Sequence, residues 1–308
     1  MMWMVAGNPL SGRRSGARLP PMVRLSLLGF GLIGGSIARA LAERDPASWV
    51  VTAWSRTRED AARGLADGVL AAVASDPESA ADASDLTVLA ASPTANLELV
   101  DRVGPVVARA GGLLSDVSSV QGPIAARAEA VAGLRFVGGH PMSGHERRGY
   151  AASDAALFVG RPWVVLPGRA AGPGDVALVR RLAEAVGARP IQLDALLHDR
   201  AVAWVSHLPL LASISLVEAA TAVEGWDAAR LLAAQGWRDM TRLARTDPDL
   251  AAGIIALNAA ALVESAQGYR AALDGWLQQL AGVGRGEVDA STLAARWAEI
   301  ADRAGDAG

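Results

Sequence analysis

The chain has 308 residues, of which 51% are hydrophobic and 20% are charged, so it can bury a large core and is long enough for two domains. Its 29 basic and 32 acidic side chains leave a net charge of −3, which provides no electrostatic footprint for nucleic acid or an anionic membrane and favours a small-molecule partner. The chain has no cysteine, which excludes disulfides, thiolate nucleophiles and cysteine metal sites and fits a reducing compartment.

Residues 1–21 contain arginine, glycine, serine and proline, but no continuous apolar run followed by a small-residue cleavage site. This composition predicts a flexible N-terminal extension and not a secretion signal. Regular hydrophobic patterning begins only at Val23.

From Val23 onward, short apolar runs alternate with helical stretches, which is typical of parallel strands joined by crossover helices. The stretches between the strands, such as Gly34 to Arg44 and Val176 to Val186, are rich in Ala, Arg and Glu at helical spacing. The predicted strands are Val23 to Leu28, Trp49 to Trp54, Leu86 to Ala90, Gly112 to Ser115, Phe136 to Gly138, Pro162 to Leu166 and Arg189 to Leu193. Residues 22–196 are therefore predicted to form a doubly wound α/β sheet.

A glycine-rich turn follows the first predicted strand and opens a helix, as a dinucleotide phosphate-binding turn does. Gly29 permits the tight turn, Gly31 lets the backbone approach a pyrophosphate, and Gly34 lets the helix pack on the strand. A structural turn without nucleotide is the alternative. We predict a Rossmann-type dinucleotide-binding domain whose turn contacts the cofactor through Gly29, Phe30, Gly31, Leu32, Ile33 and Gly34.

The end of the second predicted strand bears on the choice between NAD and NADP. NAD enzymes usually place Asp or Glu there to bind the ribose hydroxyls, whereas this chain continues Ser55-Arg56-Thr57-Arg58. Hydroxyl and guanidinium groups suit a 2′-phosphate, so we expect NADP, with NAD possible if the arginines are only solvated charges. The predicted cofactor contacts beyond the turn are Ser55, Arg56, Arg58 and Ser92.

After about Leu196 the strand patterns stop, and Ala- and Leu-rich helical segments follow. The most apolar stretch, Ala201 to Val223, is interrupted by polar residues that would be costly in a bilayer, so it is predicted to be a buried helix. Ala251 to Ala266 is apolar over more than one face, which suggests cover by a second subunit. We predict an all-helical dimerisation and substrate domain over residues 197–283 and a C-terminal tail over residues 284–308.

Three further segments resemble the prephenate/arogenate dehydrogenase family. They are Ser-Asp-Val-Ser-Ser-Val at residues 115–120, Gly-Gly-His-Pro-Met-Ser-Gly-His-Glu at residues 138–146, and Trp-Arg-Asp-Met-Thr-Arg at residues 237–242 with Thr-Asp-Pro at residues 246–248. The similarity runs from about Val23 to near Leu280, and the segment around His140 is the most specific. The resemblance implies NAD(P)-dependent oxidative decarboxylation of prephenate to 4-hydroxyphenylpyruvate or of arogenate to tyrosine, by a cytoplasmic homodimer.

The resemblance also implies roles for individual residues. His140 matches the family histidine that pairs with the ring hydroxyl of the substrate, and an imidazole that titrates near neutrality suits a general base. Ser119 matches a serine that orients this histidine and the nicotinamide, although a serine in such a turn is also a common helix cap. Glu146 matches a glutamate at the mouth of the site, where it would gate access or sense pH, or be a solvated charge.

In the helical domain, Arg242 matches the arginine that grips the ring carboxylate, which a planar guanidinium binds in bidentate fashion. Arg238 lies four residues earlier on the same helix face, and we treat it as structural. His207 either lines the pocket or is a core histidine satisfied by a backbone carbonyl. The spacing of the four histidines predicts no metal cluster.

The chain departs from the family at two positions. The family commonly reads Ser-His-x-Pro-His where residues 206–210 read Ser-His-Leu-Pro-Leu, so Leu210 removes a polar group from the pocket. Gln121 stands where a lysine is common and removes a cation. These departures keep open a 4-amino-4-deoxyprephenate dehydrogenase of an aminophenylalanine pathway and a catalytically silent nucleotide-sensing regulator. A β-hydroxyacid or imine reductase fits less well, because such families use a catalytic lysine or aspartate in the first helical element and this chain has no lysine.

Overall fold

The structure is a computed structural model that describes residues 22–145 and 147–305. The predicted N-terminal extension over residues 1–21, Glu146 and the end of the predicted tail lie outside the described residues. The chain divides between Asp194 and Ala195 into two compact units.

The first unit is built on one sheet of eight strands. These are β1 (Val23–Leu28), β2 (Trp49–Trp54), β3 (Ala72–Val73), β4 (Leu86–Leu89), β5 (Leu113–Asp116), β6 (Phe136–Pro141), β7 (Pro162–Pro167) and β8 (Arg189–Gln192). Their order in the sheet is β3-β2-β1-β4-β5-β6-β7-β8. The seven predicted strands are all present, and the additional β3 is a two-residue edge strand that is too short to produce a hydrophobic pattern.

Six helices connect these strands, namely α1 (Leu32–Arg44), α2 (Arg58–Ala66), α3 (Pro77–Asp82), α4 (Pro93–Ala110), α5 (Gly122–Glu129) and α6 (Pro173–Ala185). Local sequence explains the ends of α4. The Ser92 side chain accepts a hydrogen bond from the Ala95 amide, Pro93 occupies the first turn, and Gly111 ends the helix with a φ of 70°.

Apolar side chains are buried on both faces of the sheet. One cluster joins alternate residues of β1, such as Leu25 and Leu27, to Ile37 of α1. The other joins Leu28 and Leu114 to residues of α4. Because successive strand residues point to opposite faces, this double burial requires helices on both sides of the sheet. The predicted doubly wound α/β fold is confirmed.

One strand departs from the parallel arrangement. β7 pairs with β6 in antiparallel orientation, whereas all the other neighbouring pairs are parallel. A parallel connection needs a crossover of a dozen or more residues, usually a helix. Between β6 and β7 the described residues form only a short 3-10 turn, Tyr150–Ala152, so the chain returns beside the strand it has just left.

The second unit is helical, as predicted. It contains α7 (Ala195–Val202), α8 (Leu208–Thr221), α9 (Trp226–Ala229), α10 (Gln235–Thr241), α11 (Pro248–Leu257), α12 (Ala259–Gly284) and α13 (Ala290–Gly305). A π-helical turn, Ala203–His207, joins α7 to α8, and 3-10 turns lie at Arg230–Leu232 and Arg242–Arg245.

The apolar helix predicted to be buried is covered on only part of its surface. The continuous helix Ala195–Thr221 is long and apolar enough to span a membrane by length and composition, but core helices pass the same test, and 33% of its most apolar window is buried. Leu208 and Leu210 are buried, whereas Val205 is 69% exposed. The prediction of a buried helix therefore holds for the face that carries Leu208 and Leu210, on which the rest of this unit packs. It is wrong for the face that carries Val205. The bent pair α11 and α12 passes the same test.

The segment expected as a short polar tail contains a long helix instead. Residues 290–305 form α13, which contacts α12 through the rings of Trp297 and Trp276, with centroids 6.2 Å apart. The Arg296 guanidinium lies 4.1 Å from the Trp276 ring centroid. The spacing of Leu293, Trp297 and Ile300 is that of an apolar helix stripe, which the surrounding alanine and charged residues concealed.

Candidate functional site

The glycine-rich turn has the geometry of a phosphate-binding turn. Gly29 has a φ of 109°, which favours glycine, and a Cβ there would lie 2.5 Å from the carbonyl carbon of Ala90. A Cβ on Gly34 would lie 2.2 Å from the Gly29 carbonyl oxygen, so α1 could not begin so close to β1. By contrast, no atom lies within 4 Å of a Cβ built on Gly31, which caps α1. The turn therefore has open space at the glycine where a pyrophosphate would approach.

The other residues of the turn differ in what they can offer. The Phe30 side chain is 1% exposed and stacks on Tyr150 with ring centroids 4.9 Å apart, so only its backbone is available to a cofactor. Ile33 packs against the core, and Leu32 is half-buried. The predicted contact of Phe30 with the cofactor could therefore be made only by its backbone.

The strand order places this turn where ligands bind in open α/β sheets. Strand order reverses between β1 and β4, and the residues that follow these two strands lie side by side. Ser92 follows β4, but its hydroxyl already accepts a hydrogen bond from the Ala95 amide at 3.4 Å. A crevice at such a reversal is the usual dinucleotide site.

Ser55, Arg56 and Arg58 lie beyond the end of β2, as predicted. Arg56 and Arg58 are exposed, and in the described part of the chain neither guanidinium has a carboxylate partner. No acidic residue occupies the strand end itself; Glu59 and Asp60 lie in the first turn of α2. The end of β2 is therefore followed by cations and not by a carboxylate.

His140 lies near the end of β6, and Ser119 lies just beyond the end of the neighbouring strand β5. His140 is in β6, is 8% exposed and pairs with Val164 of β7. Ser119 follows β5 and is half-buried, and among the described residues its hydroxyl has no hydrogen-bond partner. Within the described residues no hydrogen bond joins Ser119 to His140, although both residues lie at the same edge of the sheet.

A buried hydrogen-bond network under these two residues was not predicted. The carboxylate of Asp116, at the end of β5, accepts hydrogen bonds from the amides of Ser118 at 3.0 Å and Gly139 at 3.2 Å. The Gln121 amide nitrogen donates to both carboxylate oxygens at 3.2 Å. Burial raises the pKa of Asp116 to about 6, against the lowering effect of these donors.

Asn96 of α4 extends the network to β4. Its side-chain nitrogen donates to the Ser118 hydroxyl at 2.9 Å and to the Leu89 carbonyl at 3.3 Å, while its oxygen accepts from the Ala91 amide. Asn96 is fully buried. An asparagine in the first turn of a helix usually suggests only a local cap, so the sequence carried no signal for this role.

In the helical unit, His207 belongs to a second buried polar group. Its Nδ1 accepts from the Asn258 side-chain nitrogen at 3.0 Å, which leaves the proton on Nε2, and Asn258 also donates to the Asp199 carbonyl at 2.8 Å. Burial lowers the pKa of His207 to about 4. Its buried Nε2 has no hydrogen-bond partner among the described residues. His207 is thus a neutral imidazole with one unused donor, and π-helical turns such as its own are frequent at functional sites.

Arg242 opens a 3-10 turn that is anchored on α8, because the Ala244 amide donates to the Ser213 hydroxyl at 2.9 Å. Arg242 is exposed, and no ion pair is seen for it in the part of the chain that the structure describes. Arg238 instead donates to the Gln235 side chain at 3.4 Å. Arg242 is therefore the better placed of the two to bind an external anion.

The two departures from the family have different settings. Leu210 is 5% exposed and contributes to the core of the helical unit. Gln121 is fully buried within the Asp116 network. The residue that stands where the family commonly has a lysine is therefore a buried neutral amide. Among the described residues no group of three His, Asp or Glu side chains could hold a metal ion.

Comparisons with known proteins cover both units. The family model "Prephenate dehydrogenase, nucleotide-binding domain" matches residues 37–192, and "Prephenate dehydrogenase, dimerization domain" matches residues 194–287. A Streptomyces niveus protein named "Probable prephenate dehydrogenase NovF" is 31% identical over 271 residues, which are 85% of this chain and 70% of that protein.

Solved structures agree with these matches. Synechocystis arogenate dehydrogenase is 26% identical with a TM-score of 0.75, over 92% of this chain and 99% of that one. Prephenate dehydrogenase from A. aeolicus, in complex with hydroxyphenyl propionate and NAD+, has the same fold, with a TM-score of 0.84 at 21% identity over 94% of this chain and 100% of that one. This chain therefore belongs to the prephenate dehydrogenase family, the NAD(P)-dependent oxidoreductases of tyrosine biosynthesis.

Proposed function

We propose that the protein oxidises and decarboxylates a cyclohexadienyl acid with NAD(P), converting prephenate to 4-hydroxyphenylpyruvate or arogenate to tyrosine. The main support is that the open phosphate-binding turn after β1 and His140 at the end of β6 lie at the same carboxyl edge of one sheet. In such sheets a dinucleotide extends across that edge. His140 would then face the ring carbon that loses hydride.

The chemistry needs a base at this position. A bound nicotinamide supplies the hydride acceptor. His140 takes the proton of the ring hydroxyl as hydride leaves the same carbon, and loss of carbon dioxide then makes the ring aromatic. Burial of His140 on a strand restricts its motion, which keeps the imidazole in one orientation. We assign Ser119 to the orientation of the nicotinamide and the substrate at this edge.

Recognition of the substrate carboxylates is assigned to the helical unit. We assign Arg242 to the ring carboxylate, because its guanidinium is exposed and its turn is held by Ser213. His207 would donate its free Nε2 proton to an acceptor on the substrate. Glu146 keeps its proposed role at the mouth of the site.

For the cofactor we propose NADP over NAD. Ser55, Arg56 and Arg58 offer a hydroxyl and two exposed guanidiniums where an NAD enzyme usually has a carboxylate. A 2′-phosphate carries the charge that these groups would bind. The A. aeolicus relative was solved with NAD+, so NAD is the alternative to be tested.

We also propose that the protein is a cytoplasmic homodimer that forms through the helical unit. Exposed apolar side chains recur on one side of α12 at Tyr269, Leu273, Leu277 and Leu280. A helix face of this kind usually packs against another helix. The cytoplasm fits both the absence of cysteine and a biosynthetic role.

Leu210 favours one alternative substrate. Its apolar side chain occupies a position where the family commonly has a histidine, so the protein has lost a polar group that would serve prephenate. A substrate with an amine on the ring, such as 4-amino-4-deoxyprephenate, would make a different demand on the pocket. This acid therefore belongs in the test.

The test is an assay at 340 nm of the purified protein with prephenate, arogenate and 4-amino-4-deoxyprephenate, each with NAD and NADP. We expect reduction with prephenate or arogenate and a higher kcat/KM for NADP. Turnover with 4-amino-4-deoxyprephenate alone would make that acid the substrate in place of prephenate or arogenate. If folded protein that still binds NADPH reduces neither cofactor with any of the three acids, the result would favour a nucleotide-sensing regulator.

A further inference from the structure

Gln121 lies where the turn after β5 enters α5, and its side chain is directed back onto two strands. It is fully buried. Besides its contacts with Asp116, its amide nitrogen donates to the carbonyl oxygens of Ser118 at 2.8 Å and Gly139 at 3.0 Å. One amide group therefore binds the backbone of both the turn and β6.

The surrounding backbone accommodates this side chain closely. A Cβ on Gly138 would lie 2.1 Å from the Gln121 Oε1 atom, and one on Gly139 would lie 2.7 Å from the Asp116 carbonyl oxygen. Neither position could carry a side chain without movement of the backbone or of Gln121. The two glycines that precede His140 are thus explained by the approach of β6 to Gln121 and Asp116.

The Asp116 carboxylate binds the same two segments by their amides, whereas Gln121 binds them by their carbonyls. Each bound residue is next in sequence to one with a proposed role at the active site, since Ser118 precedes Ser119 and Gly139 precedes His140. Movement of either segment would therefore move one of these residues relative to the other.

We propose that Gln121 is a positioning residue for the oxidation, whose amide, together with the Asp116 carboxylate, holds Ser119 and His140 at a fixed separation. This inference rests on the proposed function, because it assigns a purpose to the separation of those two residues. Gln121 itself touches neither substrate nor cofactor. It acts through the turn and the strand that it joins.

The same arrangement makes the position of His140 depend on pH. The groups that bond to the Asp116 carboxylate are uncharged, namely Ser118 and Gln121 in the turn and Gly139 on β6. The groups next to these are uncharged on β4 (Leu89, which pairs with Asp116), on α4 (Asn96, which bonds to Ser118) and on β7 (Trp163, which lies beside Gly139), whereas His140 on β6 is titratable. Because burial raises the pKa of Asp116 to about 6, this carboxylate takes a proton as the pH falls below neutrality. A protonated carboxyl accepts fewer hydrogen bonds, so the hold on Gly139 and Ser118 weakens.

Three variants separate positioning from general stability. Gln121→Leu removes the amide, Gln121→Asn shortens it and is the milder change, and Gln121→Lys retains N–H donors for the same oxygens and adds a cation beside Asp116. Ser26→Ala is the matched control, since it removes a buried hydrogen bond from Ser26 on β1 to the Ala80 carbonyl on α3 and leaves β5 and β6 untouched.

Two measurements are made on each protein. The first is amide hydrogen exchange of residues 116–122 and 136–142 without substrate or cofactor. The second is the pH dependence of kcat and KM between pH 5 and pH 9. We expect exchange in both segments to be about tenfold faster in Gln121→Leu and intermediate in Gln121→Asn. We expect kcat of Gln121→Leu to fall by roughly 10- to 100-fold with little change in KM.

Gln121→Lys should restore slow exchange and most of kcat, and it should move the acid limb of the kcat profile to lower pH. Ser26→Ala should leave the exchange of both segments and the shape of the profile as in the wild type. Unchanged exchange in Gln121→Leu and Gln121→Asn would overturn the positioning role. So would a loss of kcat that Gln121→Lys does not reverse. The exchange measurement needs no turnover, so it remains decisive if the proposed substrates prove wrong.

Discussion

Two titratable groups, Asp116 in the sheet and His207 in the helical unit, illustrate the same effect of burial on different chemistry. Burial raises the pKa of the acid to about 6 and lowers that of the base to about 4. In both cases the neutral form is favoured, because neither group has a nearby opposite charge large enough to offset the loss of solvation. These shifts affect stability with opposite sign over the acidic range.

The His207 shift leads to a prediction about stability. Its pKa is lower in the folded than in the unfolded protein, so the unfolded state binds the extra proton first as the pH falls from about 6.5 towards 4. The contribution of the neutral imidazole is present above pH 6.5 and declines below it. Between pH 7 and pH 5 we expect a loss of about 2 kcal/mol from this group.

Asp116 opposes this loss, because a raised carboxyl pKa favours the folded state at low pH, so the wild type alone would obscure the effect. The measurement is the difference in unfolding free energy between the wild type and His207→Gln, from urea titrations at pH 7 and pH 5. A difference that does not change with pH would contradict the assigned protonation of His207.

His140→Asn tests the general base. We expect kcat to fall by roughly two to four powers of ten, because asparagine cannot take the hydroxyl proton. The dissociation constant for NADPH, measured by fluorescence titration, should stay within about threefold, since the phosphate-binding turn is unchanged. His145→Asn is the control in the same segment. Equal turnover in His140→Asn and the wild type would remove His140 from the reaction.

Arg242→Gln tests the carboxylate clamp. The change should raise the substrate KM by about tenfold or more and leave kcat within a few-fold, because a lost bidentate ion pair weakens binding before the ring reacts. Arg238→Gln is the matched control, as Arg238 is already bonded to Gln235. The assignment would be reversed if steady-state kinetics showed the larger KM change in Arg238→Gln.

At the scale of elements, two local irregularities position His207 and His140. The π-helical turn before α8 ends at His207, and Pro209, which cannot donate a backbone hydrogen bond, follows within the same helix. The antiparallel return of β7 places Val164 opposite His140 and Trp163 against Gly139. His207 and His140 are thereby held by regular structure and not by loops.

Gly31→Ala tests the phosphate-binding element. A methyl group there meets no protein atom within 4 Å, so thermal stability should change little. It would occupy the space in which the pyrophosphate approaches, and we expect the dissociation constant for NADPH to rise by about tenfold or more. Gly236→Ala, at an equally open position in the helical unit, is the control. Unimpaired NADPH binding in Gly31→Ala would argue against a nucleotide at this turn.

At the scale of the whole molecule, apolar helix faces of the second unit are exposed, and no other segment of the described residues covers them. On α12 they recur at intervals of three or four residues, which defines one continuous side. A contiguous exposed apolar face on a monomer usually marks an interface.

Leu273→Arg tests the proposed homodimer. Light scattering after gel filtration should give twice the 31.7 kDa chain mass for the wild type, and a smaller average mass for the variant at low micromolar concentration. An arginine at the interface would be buried without a partner, which destabilises association. Gln278→Arg introduces the same charge on another side of α12 and should remain dimeric. A monomeric wild type would disprove the homodimer.

The sequence by itself determined the fold class, the family and the position of the glycine-rich turn. All three depend on signals contained within short segments: strand and helix periods, the Gly29–Gly34 turn and the segment around His140. Such patterns can be recognised without knowing which distant segments of the chain pack against them.

Only the tertiary structure decided what lies beneath those motifs. The bonds from Asp116 to Gly139 and from Gln121 to Gly139 join residues 23 and 18 positions apart, and Asn258 reaches His207 across 51. It also decided that Phe30 is buried and that residues 290–305 form a helix. The Gln121 side chain is buried and bonded to Asp116 and Gly139, which the sequence did not indicate. Burial and hydrogen bonding depend on which distant segments meet, and the period of a local pattern does not encode that.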